Sequence, residues 1–515
     1  MKTGKTWLVL TVSLLAILAG LYFSSPQVLA DAPQGVMKGV LHFGLAGDWM
    51  DPSITLANQS AYFPLYLFHD SLVKPMPNDM YYPSLAESWT ISPDQKVYEF
   101  KLRKGVKFHN GDEMTAEDVV FTFHRYKGTS AKLIHDKTAK VEAVNPYLVR
   151  ITFKTPFPDF IEYLLPQMSA MSWIVPKKYI ERVGDAEYKR RPIGCGPYKF
   201  VEFTPGVKLV GEAFEGYWRK VPNIKRLEFF PVEEISARFA RVKRGEVDFA
   251  LSMVDVFYDT VKKDPNLRMV TINTPNHWIL YVASQWDPKS PWSDPRVRKA
   301  ASLAIDRKAL SDVVFPEGEK IGTIFLLGDP ETVRYPPDPY DPERARKLLA
   351  EAGYPKGFQG GTFYPQGGSH AHMGEMIATF WKAVGINVDI VLFDRPGWLA
   401  RRVGGKMKGA IFNDNVGHPT ISARLSYLFG PQNYGNYPDI QALWDQHERS
   451  LDPNVRKDLR ERIQRLIYDR TMFIPLVKST TPSAFGPRVK GDPFKIREPY
   501  PVWWPCPMED LELNE

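Results

Sequence analysis

His370 and His372 flank Ala371 in a glycine-rich stretch, close enough for both imidazoles to address one ligand. Two histidines fall short of a metal site, which takes three or four donors. The acid pair Glu233-Glu234 stands at a helix start, where the macrodipole favours carboxylates, so it reads as a helix-end feature and not as an acid/base pair. Gly194-Cys195-Gly196 lacks the remaining glycine and the following helix of a dinucleotide-binding turn, and Pro197 makes it a tight bend. No G-x-S-x-G elbow, H-E-x-x-H pair or Walker loop is present. With only 2 Cys, the chain has neither a disulfide scaffold nor a cysteine-ligated cluster. The residues point to no catalytic group, no metal and no cofactor.

The elements that carry these residues alternate between strand and helix. Val40 to Leu45 reads as a strand running into the turn Asp48-Trp49-Met50-Asp51-Pro52. Residues 95–109 alternate apolar and polar around Lys104-Gly105, the pattern of a hairpin. Thr115 is placed to cap a helix with Asp118 three residues on. A β-rich stretch covers 141–154, and a strand runs from Tyr198 to Phe203. Helices are expected over 234–245, from Asp341-Pro342 to Glu351, over 372–384 and over 439–470, with strands at 386–393 and 407–412. No βαβ period repeats, so the expectation is an α/β protein of at least two lobes.

Composition agrees with a large globular chain. The 515 residues are 44% hydrophobic and 24% charged, which excludes a disordered or fibrous chain, and a mean hydropathy of −0.30 excludes a multi-span membrane protein. Lys+Arg 66 against Asp+Glu 59 gives a net charge of +7, diffuse and without a basic block, so no nucleic-acid footprint is present. Lys2 and Lys5 precede an uncharged run from Trp7 to Phe23, and Val28-Leu29-Ala30 offers a cleavage site. Residues 1–30 therefore read as a secretory signal peptide, whose removal leaves +5; an uncleaved anchor helix is the alternative. Leu21 stands where a lipoprotein box has its cysteine, so no lipid anchor is expected.

Residues 85–123 resemble one family. Leu85-Ala86-Glu87-Ser88-Trp89, then Lys101 to Gly111, then Thr115-Ala116-Glu117-Asp118-Val119-Val120-Phe121-Thr122-Phe123 resemble in order and spacing the family 5 extracellular solute-binding proteins, the oligopeptide/dipeptide receptors of ABC importers. Ile193 to Tyr198 is similar to the family's "IGTGPY" turn, Gly245 to Asp248 to its "GEID", Pro291 to Arg307 to its "FxDxRVRxAxxxAIDR", and Asp341 to Gly353 to its "DPEKAKxLLxEAG". The resemblance implies a two-lobed periplasmic-binding-protein fold with the ligand cleft between the lobes. Carried over, lobe one holds residues 31–275 and 488–515, with an extra subdomain at about 79–189, and lobe two holds 276–487.

The resemblance also implies where solute sits. The loop after the first strand, with Gly47, Asp48 and Trp49, faces the cleft from lobe one. In lobe two, Asn413-Asp414-Asn415-Val416-Gly417-His418-Pro419 resembles the peptide binders' "GDNGDP", whose Asp pairs with a peptide's ammonium. Val416 intrudes in that pattern and His418 replaces its second Asp. A histidine suits an ammonium poorly, so sugars, opines and other polar solutes stay open beside peptides. Trp278, Tyr281 and Trp398 are candidate aromatic walls, and Arg395, Arg401 or Arg402 a candidate partner for a carboxylate. Cys195 replaces a Thr of the family and Cys506 lies in the returning tail; in an oxidising periplasm the two form a disulfide or stay separate buried thiols. The implied function is a soluble, monomeric periplasmic receptor that hands its solute to an inner-membrane ABC permease with its ATPase subunits. The competing function is a periplasmic hydrolase acting on a peptide or glycoside in the same cleft.

Overall fold

The computed structural model describes residues 32–514 apart from 55–61, 78, 166–167, 255, 328, 367–370, 394, 404, 417, 419, 430–433 and 492–506. The proposed signal peptide lies outside the described residues. Among those described, no helix is long and apolar enough to cross a membrane.

Two long antiparallel strands, Arg268–Val282 and Phe473–Phe485, form the spine. Arg268 lies opposite Phe485 at one end and Tyr281 opposite Phe473 at the other. They sit at the centre of a ten-stranded sheet whose flanks attach to opposite ends of the pair. At the Phe485 end the sheet continues through Phe249–Ala250, Gln34–Leu41, Ile224–Pro231, Lys208–Ala213 and Tyr198–Thr204. At the Phe473 end it continues through Ile411–Val416, Phe358–Tyr364 and Ile386–Ile390. Two lobes result, crossed by these two strands. Their pairing is interrupted between Asn273 and His277 and resumes where His277 faces Lys478. A register break of this kind bends a strand pair locally.

Each lobe has its own core. Met37, Leu41, Phe63, Leu67, Leu227, Phe229 and Phe485 fill lobe one beneath its sheet. Lobe two has two cores, one around Trp278, Trp292 and Trp381 and one around Tyr281, Trp398 and Phe412. A further four-stranded antiparallel sheet, in the order Ala86–Ile91, Val97–Leu102, Leu148–Phe153, Thr138–Asn145, makes a subdomain with the helix Ala116–Arg125.

Several expected elements differ from those observed. The first strand runs over Gln34–Leu41, earlier than 40–45, because its register against Ile224–Pro231 ends at Leu41 opposite Pro231. Residues 95–109 do not form a hairpin. Val97–Leu102 pairs with Ala86–Ile91 and Leu148–Phe153, and residues 103–109 leave the sheet. The helix expected over 439–470 is two, Pro438–Arg449 and Pro453–Asp469; Asp452 starts the second by accepting the Asn454 and Val455 amides. The strand expected at 407–412 begins at Ile411 and runs on to Val416, which places Asn413, Asp414 and Asn415 in the sheet. The capping pair is as expected: the Asp118 carboxylate accepts from the Thr115 amide at 2.9 Å and hydroxyl at 3.1 Å.

The turn Ile193 to Tyr198 is a docking joint. A Cβ on Gly194 would stand 2.0 Å from the Phe68 carbonyl, and one on Gly196 would stand 2.6 Å from the His69 amide, so both positions need glycine for lack of space. His109 closes the joint: its Nε2 lies 3.0 Å from the Gly196 carbonyl, and the Gly194 amide donates to its Nδ1 at 3.3 Å.

Candidate functional site

The loop after the first strand leads into a partly buried ion pair, Arg125 on the buried Asp51. Arg125 donates to both oxygens of Asp51 at 2.7 Å and to the Ser53 hydroxyl at 2.7 Å. Burial pushes the Asp51 carboxyl up, but the bonds and charge of Arg125 outweigh it and leave it below the usual range. The short 3-10 turn Gly47–Met50 rests on this pair. There Asp48 is exposed and Trp49 is half-buried against the lobe-one core. A Cβ on Gly47 would make only an ordinary 3.6 Å contact with Phe203.

Lobe two supplies a set of basic side chains that gather on one aromatic ring. The Tyr427 ring lies 5.4 Å from the Arg402 guanidinium, 5.5 Å from that of Arg424 and 4.6 Å from the His418 ring. Arg402 is buried among rings, within 5.9 Å of those of Tyr281, Phe412 and Tyr434 as well. Such contacts keep a guanidinium in place without neutralising it. The set continues to the crossing strands, where His277 and Lys478 face each other as buried sheet partners. Each histidine registers its neighbours. Burial and then the charges of Arg424 and Arg402 hold His418 well below its ordinary value. Burial, then Lys478 and Arg424, push His277 down to about 3. Like charges gathered in one place produce this pattern.

These groups stand where the lobes meet. Arg424 and Tyr427 lie on the helix Ile421–Phe429, whose Ala423 packs into the lobe-one subdomain core and whose Ser426 hydroxyl lies 2.8 Å from that of Tyr163. One helix therefore touches lobe one and carries Arg424 and Tyr427 of this set. A small cleft bounded by Arg307, Thr323, Tyr335, Asp338 and Tyr468 is lined by lobe-two residues alone and lacks the two-lobe lining that ligand-driven closure requires.

The sequence candidates divide. His418 belongs to the basic set. Asn413, Asp414 and Asn415 have backbones paired with Leu280, Ile279 and Trp278 on the crossing strand. Trp278, Tyr281 and Trp398, the expected aromatic walls, pack among core residues. Trp278 is fully buried and stacks on Phe315 at 5.6 Å, Tyr281 stacks on Phe412 at 5.0 Å, and the Trp398 indole donates to the Tyr364 carbonyl at 3.2 Å. Arg401 lies half-exposed over Phe393, and the side chain of Arg395 lies outside the described residues. His372 is exposed beside Glu375 at 3.4 Å, and His370 lies outside the described residues. Cys195 is a buried, free thiol that burial holds well above its ordinary value; Cys506 lies outside the described residues. Arg424, Tyr427, Lys478 and His277 were not among the sequence candidates. The available signal for Arg424 and Tyr427 was a lone arginine in the otherwise uncharged helix Ile-Ser-Ala-Arg-Leu-Ser-Tyr-Leu-Phe, three residues before a tyrosine.

Residues 80–436 match the model of the bacterial extracellular solute-binding proteins, family 5. The chain belongs to this family. Heme-binding protein A of Haemophilus influenzae is 29% identical over 79% of this chain and 81% of its own length. The glutathione-binding protein GsiB of Shigella boydii is 30% identical over 79% of this chain and 82% of its own length. Among solved structures, the ABC transporter-associated periplasmic binding protein DppA from Helicobacter pylori, in complex with the peptide STSA, superposes with a TM-score of 0.76 at 22% identity, covering 93% of this chain and 98% of that one. The two-lobed fold and the role of solute-binding receptor, in preference to hydrolase, follow from this membership.

Proposed function

We propose that this family 5 protein is the periplasmic receptor of an ABC importer for a small solute bearing one or more carboxylates, an acidic peptide or peptide-like acid. The observation that carries the reading is the gathering of Arg402, Arg424 and His418 on Tyr427, continued by His277 and Lys478, on the lobe-two side of the cleft. Guanidinium groups in a partly dry site bind carboxylates by short, charge-assisted bonds. Gly47, Asp48 and Trp49 supply the opposing wall, with Asp48 near a ligand ammonium and Trp49 against its apolar part. Asn413, Asp414 and Asn415 complete the lobe-two side. Relatives named for binding heme and glutathione, and a related fold solved with a bound peptide, support a solute of this size.

In this reading residues 1–30 are removed on export with cleavage after Ala30, and the mature chain acts as a monomer, without cofactor, metal or nucleic acid, and delivers solute to a permease with its ATPase subunits. The lobe boundaries fall in the register break at 273–277 and in the facing part of the Phe473–Phe485 strand, since Ala484 and Phe485 pair with Phe249–Ala250 of lobe one. A thermal-shift panel of acidic, neutral and basic di- and tripeptides tests the ligand class. Acidic members should raise Tm, since a ligand at a hundred times its Kd adds about 2.7 kcal/mol, and amidating their carboxylates should abolish the rise. A response confined to basic or neutral members contradicts the reading.

A further inference from the structure

Beside the basic set, a second group of polar contacts crosses between the lobes. Arg456, buried at the start of the helix Pro453–Asp469, donates from Nη2 to both oxygens of Asp159 at 2.6 Å, across 297 residues of sequence. Asp159 stands beside Phe157 and Phe160, which pack in the core of the lobe-one subdomain, so this pair ties that core to lobe two. Close by, the Thr420 hydroxyl donates to Glu162, Tyr163 meets Ser426 at 2.8 Å, and Lys137 faces Glu448 at 3.5 Å. Asp159, His447 and Glu448 bring their ligand atoms within 4.8 Å of one another, as a metal site would. The protein's own cations already take those places: Arg456 holds Asp159, Arg460 Nη1 lies 3.0 Å from His447 Nε2, and Lys137 faces Glu448.

Arg456 is also fixed from behind. Its Nη1 donates to the His447 carbonyl at 2.7 Å and to that of Ser450 at 3.3 Å, which aims the guanidinium out of lobe two toward Asp159. Contacts of this kind exist only when the lobes are together, and a contact made in one of two states shifts the population of that state by its own free energy. The clamped segment, residues 157–164, presses on the helix that carries Arg424 and Tyr427. We propose that Arg456 and Asp159 form a closure latch, which populates the closed form without help from solute and so sets how tightly any solute is retained. Arg456 is in this sense a positioning residue, and the latch is independent of which solute the cleft takes.

The test is small-angle scattering on the full mature chain, stripped of bound solute, for wild type, Arg456→Met, Arg456→Lys, Asp159→Asn and the Arg456→Met/Asp159→Asn double variant, with Tm recorded for each. Arg462, exposed on the same helix, gives the control Arg462→Met. The expected result is a larger radius of gyration for Arg456→Met and for Asp159→Asn, a value between these and wild type for Arg456→Lys, and little further change in the double variant. Loss of Tm with an unchanged radius of gyration would show a merely structural role and overturn the proposal. So would a stripped wild type as extended as the variants, or two single effects that simply add. Because no solute is used, these outcomes are separate from the acidic-ligand reading.

Discussion

Tyr427 holds three basic side chains within 5.5 Å of its ring, and each plays a different part. Arg402 is caged by four rings, Arg424 projects from a helix that meets the other lobe, and His418 stays uncharged beside them. Replacing Arg424 with Gln should remove one charge-assisted bond to solute, about 1.5–3 kcal/mol, or roughly 10–100-fold in Kd, with little change in Tm; titration calorimetry reads the first and scanning calorimetry the second. An unchanged Kd would remove Arg424 from the site. Trp278→Ala should do the reverse, costing about 3–5 kcal/mol of stability as a core deletion while the ligand preference stays the same. Arg402 and His418 were legible in the sequence, one as a candidate carboxylate partner and one by its departure from a family pattern. Lys478 and His277 were not, because their nearness comes from strand pairing across 201 residues and leaves no local mark.

At the scale of elements, the glycine turn after Arg191 packs against backbone at two positions, Gly194 and Gly196. Gly196→Ala should prevent folding or lower Tm steeply, since the new Cβ meets backbone that has no room to yield. The same joint sets an acid limit. The Gly194 amide donates to His109 Nδ1, so the neutral ring carries its proton on Nε2, the nitrogen facing the Gly196 carbonyl. Burial pushes His109 down to about 3 and His69, across the turn, down to about 4. Both are depressed below the ordinary histidine value near 6.5, so their contribution is intact above that value and is lost as pH falls toward 4 and 3. Tm should therefore drop steadily below pH 6.5; a flat profile from 6.5 to 4 would contradict neutral burial. Features written in a few consecutive residues, such as the Thr115–Asp118 cap, could be read from the chain directly. The supposed hairpin at 95–109 could not, because its alternation records burial against strands at 86–91 and 148–153 and says nothing about which strand is the neighbour.

At the scale of the whole molecule, two strands carry the crossing, and the other lobe-to-lobe contacts named above, among the described residues, are made by side chains. The resemblance to a known family made the two lobes legible; it could not show the seam, whose partners lie 258 or more residues apart, from Thr420–Glu162 to Lys137–Glu448. Glu162 at that seam is held above the usual carboxylate range by burial and by Asp159 and Asp329, against the Thr420 bond and the Arg460 charge. An acid raised in the closed form favours closure while it is protonated, and that support is lost as pH rises through its value. Scattering should show the solute-free chain opening with rising pH, and Glu162→Gln should flatten the dependence. The most direct test of the central claim, a receptor for an acidic solute, is native mass spectrometry of the protein taken from its own host. The account predicts one intact solute per chain, bearing at least one carboxylate and released unchanged on denaturation. A bound neutral or purely cationic solute, or a cleaved product formed on incubation, would contradict it.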